Sequence, residues 1–211
     1  MKLNEQILKL RNSPVKDKID SRIKEFESFE DKSTEAWFSE LCFCLLTANW
    51  KARGSIEIQK ELCDNDFCSL SEDHLKKYLK EKGHRFWPQR AERICRAREH
   101  IDIKIKITKI VKTEGQKKAR DWLIKNILGI GYKEASHFLR NTGHLDLAII
   151  DRHIMFLMIE NSMIKKRPKT LTRKRYLFME KKLTLLADNL NMRIGELDLY
   201  MFYLKKREVL K

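Results

Sequence analysis

Apolar side chains recur along this chain at intervals of three and four residues, the period of one face of an α-helix. Leu3, Ile7, Leu8 and Leu10 set the pattern over residues 2–11. Ser13 and Pro14 read as an N-cap and a first helical residue, opening a helix with Ile19, Ile23 and Phe26 on one face. Ser33 reads as the next cap, with Glu35 in the first turn, where the helix dipole favours a carboxylate. The helix after it runs through Trp37, Phe38 and Leu41-Cys42-Phe43-Cys44-Leu45-Leu46. It is apolar almost all round, so it is expected to be the buried central helix of its lobe. It breaks at Thr47-Ala48-Asn49-Trp50, and Gly54 is read as preceding another helix to about Leu62.

Ser69-Leu70-Ser71-Glu72 has the form of a capping box, and Gly83 suits the C′ position of the helix that follows. A basic, aromatic turn comes next, Gly83-His84-Arg85-Phe86-Trp87-Pro88-Gln89-Arg90, with Pro88 starting a helix to His100. In residues 101–111 Ile103, Ile105 and Ile107 alternate with polar residues, a strand period with no evident partner strand. The stretch is read as a helix or an extended linker. Further helices are expected at residues 116–126, from the turn after Leu128 to about Asn141-Thr142-Gly143, at 152–161, at 176–191, and through Leu197, Tyr200, Phe202 and Leu204. Lys165 to Arg175 is strongly basic and holds Pro168, so it is read as a loop. The pattern predicts an all-α fold, and seven Gly and three Pro in 211 residues agree with long helices and short turns.

Charge narrows the partner. Lys and Arg outnumber Asp and Glu 45 to 30, a net +15. A surplus that size suits a polyanion, nucleic acid first, although Lys enrichment also marks adaptation to heat. The five cysteines, Cys42, Cys44, Cys63, Cys68 and Cys95, form no C-x-x-C pair and are read as reduced, in a cytoplasmic chain. No signal core and no apolar run of spanning length is found, so no membrane partner is expected.

The candidate chemistry lies in residues 128–157. Gly129 and Gly131, one apart between two helices, allow a tight turn with positive φ and leave N–H groups at the start of the second helix. Such a turn grips phosphate without reading sequence, or is a plain connection. Lys133 follows at the helix start, where the positive dipole end disfavours an ammonium, and a neutral amine is what a Schiff-base nucleophile needs. Taken alone it is equally a solvent-facing lysine. Asp151 emerges from the apolar run Leu147-Ala148-Ile149-Ile150 as the cap of the next helix, a role compatible with catalysis. His137, one turn past Lys133, competes as an acid–base group but reads more readily as helix packing.

The order of these residues resembles the helix–hairpin–helix DNA glycosylase superfamily: Leu128-Gly129-Ile130-Gly131-Tyr132-Lys133, then the apolar run into Asp151. The stretches at residues 83–85, 133–141 and 196–200 are similar to the type-2, archaeal-type 8-oxoguanine DNA glycosylase/AP lyases. The resemblance implies two helical lobes, residues 35–130 and residues 1–34 with 131–211, and an active-site cleft between them. It implies a bifunctional enzyme acting on double-stranded DNA, with Lys133 as nucleophile and Asp151 stabilising charge on the sugar. Gly129 and Gly131 would hold DNA, and Asn49 would fill the gap left by the extruded nucleotide. Phe86, Phe202 and Lys211 would recognise the base. The four cysteines of an iron–sulfur cluster are missing after Cys95, so no cofactor is expected; a structural monovalent cation at the hairpin is left open, and the chain is expected to be a monomer. The same fold acting on another oxidised base, or a non-enzymatic helix–hairpin–helix DNA-binding protein, are the alternatives.

Overall fold

Helical spacing becomes helix at nearly every place where the sequence predicts it. This computed structural model describes residues 2–211, and among them the chain forms thirteen α-helices and no strand. They are α1 (Leu3–Arg11), α2 (Val15–Glu27), α3 (Thr34–Thr47), α4 (Ala52–Glu61), α5 (Asp64–Ser69), α6 (Glu72–Glu81), α7 (Trp87–Ala97), α8 (Ile103–Glu114), α9 (Gln116–Asn126), α10 (Tyr132–Asn141), α11 (Arg152–Glu160), α12 (Arg173–Asn189) and α13 (Ile194–Lys206). The chain divides into two compact units. One is Phe29–Phe138; the other joins the N-terminal stretch ending at Ser28 to Leu139–Lys211, and the division falls inside α10.

The unit Phe29–Phe138 is built on α3. Ser33 caps it as predicted, its Oγ accepting from the Ala36 amide at 3.2 Å. Every residue from Trp37 to Thr47 is buried, and α4, α5, α7 and α8 pack around the helix. Trp37 meets Phe29 and Phe138 edge-on at 6.1 and 5.9 Å and donates its indole N–H to the Phe29 carbonyl at 2.8 Å.

The alternating isoleucines lie in α8. Ile103 and Ile107 are one turn apart and buried, while Ile105 is exposed. A lone strand would leave its peptide groups unpaired, whereas a helix pairs them and still buries two isoleucines.

Three local readings are corrected. Gly54 lies inside α4 rather than before it, because the Trp50 ring packs there: a Cβ on Gly54 would come within 2.6 Å of it. The cap of α6 is Ser71, which accepts from the His74 amide at 3.3 Å, while Ser69 ends the unpredicted α5 and bonds back to the Asn65 carbonyl. Pro14 already has helical dihedrals and stands just before α2, a one-residue shift.

The second unit packs α1, α2, α11 and α12 against α13, which is buried from Ile194 to Met201 apart from Glu196. Arg140, at the end of α10, bonds Asp198 at 2.5 Å and the Asn141 side chain at 2.9 Å, and stacks over Phe26. Such a buried pair orients its helices more than it stabilises them.

Residues 147–150 cross this core without regular structure, and α12 supplies their hydrogen bonds. The Ala148 amide donates to Glu180 Oε1 at 3.1 Å, and the Ala148 carbonyl accepts from Tyr176 Oη at 2.6 Å. The Ile150 amide donates to the same Tyr176 oxygen at 3.3 Å. Tyr200, equally buried on α13, has no hydrogen-bond partner for its hydroxyl among the described residues.

The two tyrosines therefore predict opposite outcomes. Tyr176→Phe strands two buried peptide groups and should lower unfolding stability by about 1–3 kcal/mol, whereas Tyr200→Phe should change it by less than about 0.5 kcal/mol. Urea denaturation of both variants checks this, and equal effects would contradict it.

Candidate active site

The hairpin between α9 and α10 is anchored by Ile127 and Ile130, both buried, with Leu128 exposed at its tip. Gly129 has φ +92°, the left-handed region, and Gly131 does not, so the turn needs positive φ at only one of the two glycines. A Cβ on Gly129 would also lie 2.6 Å from Cδ of Arg93, whose guanidinium rests against the turn. At Gly131 the nearest atom would be Glu134 Oε2 at 3.3 Å. The first intrahelical bond of α10 runs from the Ala135 amide to the Gly131 carbonyl at 2.9 Å, so the amides of residues 132–134 have no partner within the helix. Tyr132 turns back onto α9, its hydroxyl donating to Asp121 at 3.2 Å.

Lys133 sits in this first turn, half-buried. His137, one turn on, is buried and meets Phe43 of α3 edge-on at 5.5 Å. That contact makes it a packing residue on the central helix.

The far end of α3 is the second part of the site. Asn49 is exposed and has φ +60°. On one side of it, the Ala48 carbonyl accepts from Arg90 Nη2 at 2.5 Å. On the other, the Trp50 ring lies tilted against His84, centroids 4.0 Å apart. The His84 ring bonds through Nε2 to the Leu46 carbonyl at 3.0 Å and accepts the Phe86 amide on Nδ1 at 3.2 Å. A carbonyl only accepts, so Nε2 carries the proton and the imidazole is neutral. Phe86 is half-buried and has two guanidiniums over its ring, Arg85 at 5.0 Å and Arg90 at 5.7 Å. Burial pushes the Arg90 guanidinium below its usual range, Arg93 adds to this and Glu134 opposes it.

In the other unit, Asp151 caps α11. Its Oδ1 accepts from both the His153 and Ile154 amides at 2.8 Å, so the cap uses one carboxylate oxygen and not the other. Phe202 of α13 is half-buried and meets the His153 ring edge-on at 6.2 Å. Burial holds His153 below its usual value, and the Asp151 carboxylate opposes that. Lys211 is half-buried. Asn49, Phe86, Gly129, Gly131 and Lys133 thus belong to Phe29–Phe138, while Asp151, Phe202 and Lys211 belong to the unit containing Leu139–Lys211.

A glycine turn that offers helix-start amides, followed at once by a lysine in an all-helical basic chain, defines a helix–hairpin–helix protein suited to a DNA backbone. Comparison with known proteins makes the class specific. A family model described as 8-oxoguanine DNA glycosylase matches residues 19–192. The 8-oxoguanine DNA glycosylase/AP lyase of Methanocaldococcus jannaschii is 51% identical over 211 residues, 100% of both chains. That of Korarchaeum cryptofilum is 43% identical over 205 residues, covering 97% of this chain and 96% of its own. The crystal structure of the M. jannaschii enzyme in complex with 15mer DNA containing 8-oxoguanine has a TM-score of 0.95 at 50% identity, over 99% of each chain. The Thermotoga maritima enzyme superposes with a TM-score of 0.91 at 40% identity, over 99% of this chain and 98% of that one. The chain belongs to the helix–hairpin–helix 8-oxoguanine DNA glycosylase family.

Sequence reasoning missed His84, Arg90, Arg93, Tyr176 and Glu180 as supports of the site. Only the basic, aromatic turn at residues 83–90 carried a signal.

Two predictions follow from this geometry. Gly129→Ala forces a side chain into a left-handed turn against Arg93 and should destabilise by about 1–3 kcal/mol and weaken DNA binding, while Gly131→Ala, with no positive φ to strain, should be milder on both counts; fluorescence anisotropy with duplex DNA compares them. The second concerns pH. Burial is the main cause holding His84 below its ordinary value of 6.5; the Leu46 bond opposes it and Arg90 reinforces it. The unfolded chain therefore takes up this proton first. The His84 contribution is full above 6.5 and is lost as pH falls through the lowered folded value. Urea melts between about pH 5 and 7 should show a smaller loss of stability on acidification in His84→Gln than in the wild type.

Proposed function

We propose that this chain excises 8-oxoguanine from double-stranded DNA and then cleaves the strand, with Lys133 as nucleophile and Asp151 as the stabilising carboxylate. The observation that carries the assignment of roles is the pair of helix starts. Lys133 stands in the first turn after a phosphate-binding hairpin, and Asp151 caps α11 with one oxygen while keeping the other out of the cap. The damaged nucleotide leaves the stack, and Phe86 offers a ring on which its base can lie. Lys133 Nζ attacks C1′ through its lone pair. The C1′–N9 bond breaks, and its electron pair leaves with the base, which takes up the proton that the lysine nitrogen sheds on bonding to C1′. Asp151 stabilises the positive charge that develops on the sugar. Opening of the sugar ring gives the Schiff base. Loss of a C2′ proton then expels the 3′ phosphate by β-elimination, and water releases the lysine.

Phe202 is assigned to base stacking, Lys211 to the oxidised edge of the base and Asn49 to the vacated gap. Gly129 and Gly131 hold the DNA backbone. Both steps use an amine and a carboxylate alone, and the reading calls for no cofactor. The enzyme is read as a monomer of the cytoplasm; among the described residues no helix is long and apolar enough to cross a membrane.

Borohydride trapping on an 8-oxoguanine duplex tests the reaction. Wild type is expected to crosslink and Lys133→Gln to fail. Asp151→Asn should bind DNA within about threefold of wild type yet lose at least about a hundredfold in turnover. Binding without any crosslink would leave only a DNA-binding role, and release of an oxidised pyrimidine in place of 8-oxoguanine would reassign the lesion.

A further inference from the structure

The turn that carries Phe86 and the turn that carries Asn49 are tied together by two side chains that take no part in the chemistry above. Arg90 holds the Ala48 carbonyl and lies over the Phe86 ring. His84 holds the Leu46 carbonyl with one nitrogen and the Phe86 amide with the other, and the Trp50 ring lies tilted against it, centroids 4.0 Å apart. Asn49, whose left-handed backbone is unfavourable for a residue with a Cβ, is thereby fixed on both sides.

Arg90 is 4% exposed, and its Nε and Nη1 have no hydrogen-bond partner among the described residues. A buried guanidinium with two unpaired donors is a poor choice for stability, since an apolar side chain of like volume often packs as well or better. What it does supply is geometry: a planar donor to Ala48 and a cation against Phe86 at the same time.

We propose that His84 and Arg90 are positioning residues that fix the gap-filling Asn49 and the base-stacking Phe86 as one rigid body, so that removal of a base depends on them while strand cleavage at a site already lacking a base does not. An abasic sugar has no base to unstack and none for Phe86 to hold, so it needs neither part of the clamp. The inference rests on the glycosylase reading and deepens it.

The test separates the two reactions in one protein. Single-turnover release of 8-oxoguanine from a duplex is measured beside strand cleavage of a duplex with a preformed abasic site. Arg90→Met is expected to slow base release by at least about tenfold and abasic-site cleavage by less than about threefold, since small misplacements of binding groups cost rate steeply. Arg90→Lys keeps a donor and a charge and should recover most of the base release. Combining Arg90→Met with Phe86→Ala should slow base release by clearly less than the product of the two single effects. Equal slowing of both reactions, no slowing of base release, or an additive double variant would each overturn the proposal. Should Arg90→Met fail to fold, His84→Gln is compared in the same two assays, with the same outcomes deciding. A wild type that releases no 8-oxoguanine would instead refute the glycosylase reading itself.

Discussion

A peptide group buried without a partner costs about 1–3 kcal/mol, and this chain buries non-helical backbone at two places that matter. One is the end of α3, where the most deeply buried helix stops: the Thr47 carbonyl still accepts from the Trp50 amide, but the Leu46 and Ala48 carbonyls are reached by side chains. The other is residues 147–150, an extended strap through a helical core with no strand beside it. At both places side chains close what the backbone leaves open. His84 and Arg90 close the first, and Tyr176 and Glu180 close the second. In each case the bond that satisfies the backbone also fixes a residue proposed for the site: Asn49 and Phe86 at the first, Asp151 at the second. Hydrogen-bond satisfaction and positioning of the chemistry are therefore one requirement.

The hairpin obeys a different constraint, that of close approach. Gly129 turns through a conformation that disfavours side chains, and the space a Cβ would fill is taken by Arg93. The result is a cationic side chain laid against a loop that leads straight into the N-terminal turn of α10. Both features favour an anion, and neither depends on base identity. The same holds for the basic segment leading into α12, where Lys165, Lys166, Arg167 and Lys169 and, in the first turn of the helix rather than the expected loop, Arg173, Lys174 and Arg175 are all exposed. An exposed cluster of this kind suits a polyanion's backbone and carries no sequence preference.

What could be read from the sequence was local. The Ser33 and Asp151 caps, the all-round apolar α3 and the limits of α9 follow from spacing within one or two helical turns, and each is where it was expected. Residues 101–111 show the limit of such reading, because alternation and helical burial share Ile103 and Ile107 and only the missing partner strand decides between them. The supports of the site were illegible for a related reason. His84 reaches Leu46 across 38 residues, Arg90 reaches Ala48 across 42, and Tyr176 reaches Ala148 across 28. No periodicity carries such pairs; only the packed structure brings them together. Family resemblance supplied the roles of Lys133 and Asp151, and it too is silent about what holds them.

Phe86 shows why stacking alone is not lesion recognition. A ring with guanidiniums over it grips any base well, because every base has a π-face and contact of this kind is worth about 1–3 kcal/mol whatever the base. Guanine and its 8-oxo form present nearly the same face. They differ at the edge, where oxidation adds a carbonyl oxygen and turns the N7 acceptor into a donor. A site that must tell them apart needs a polar group facing that edge, since leaving a buried donor unpaired discriminates far more strongly than a change in shape. A ring such as Phe86 can thus hold a base and set its orientation without by itself choosing the lesion.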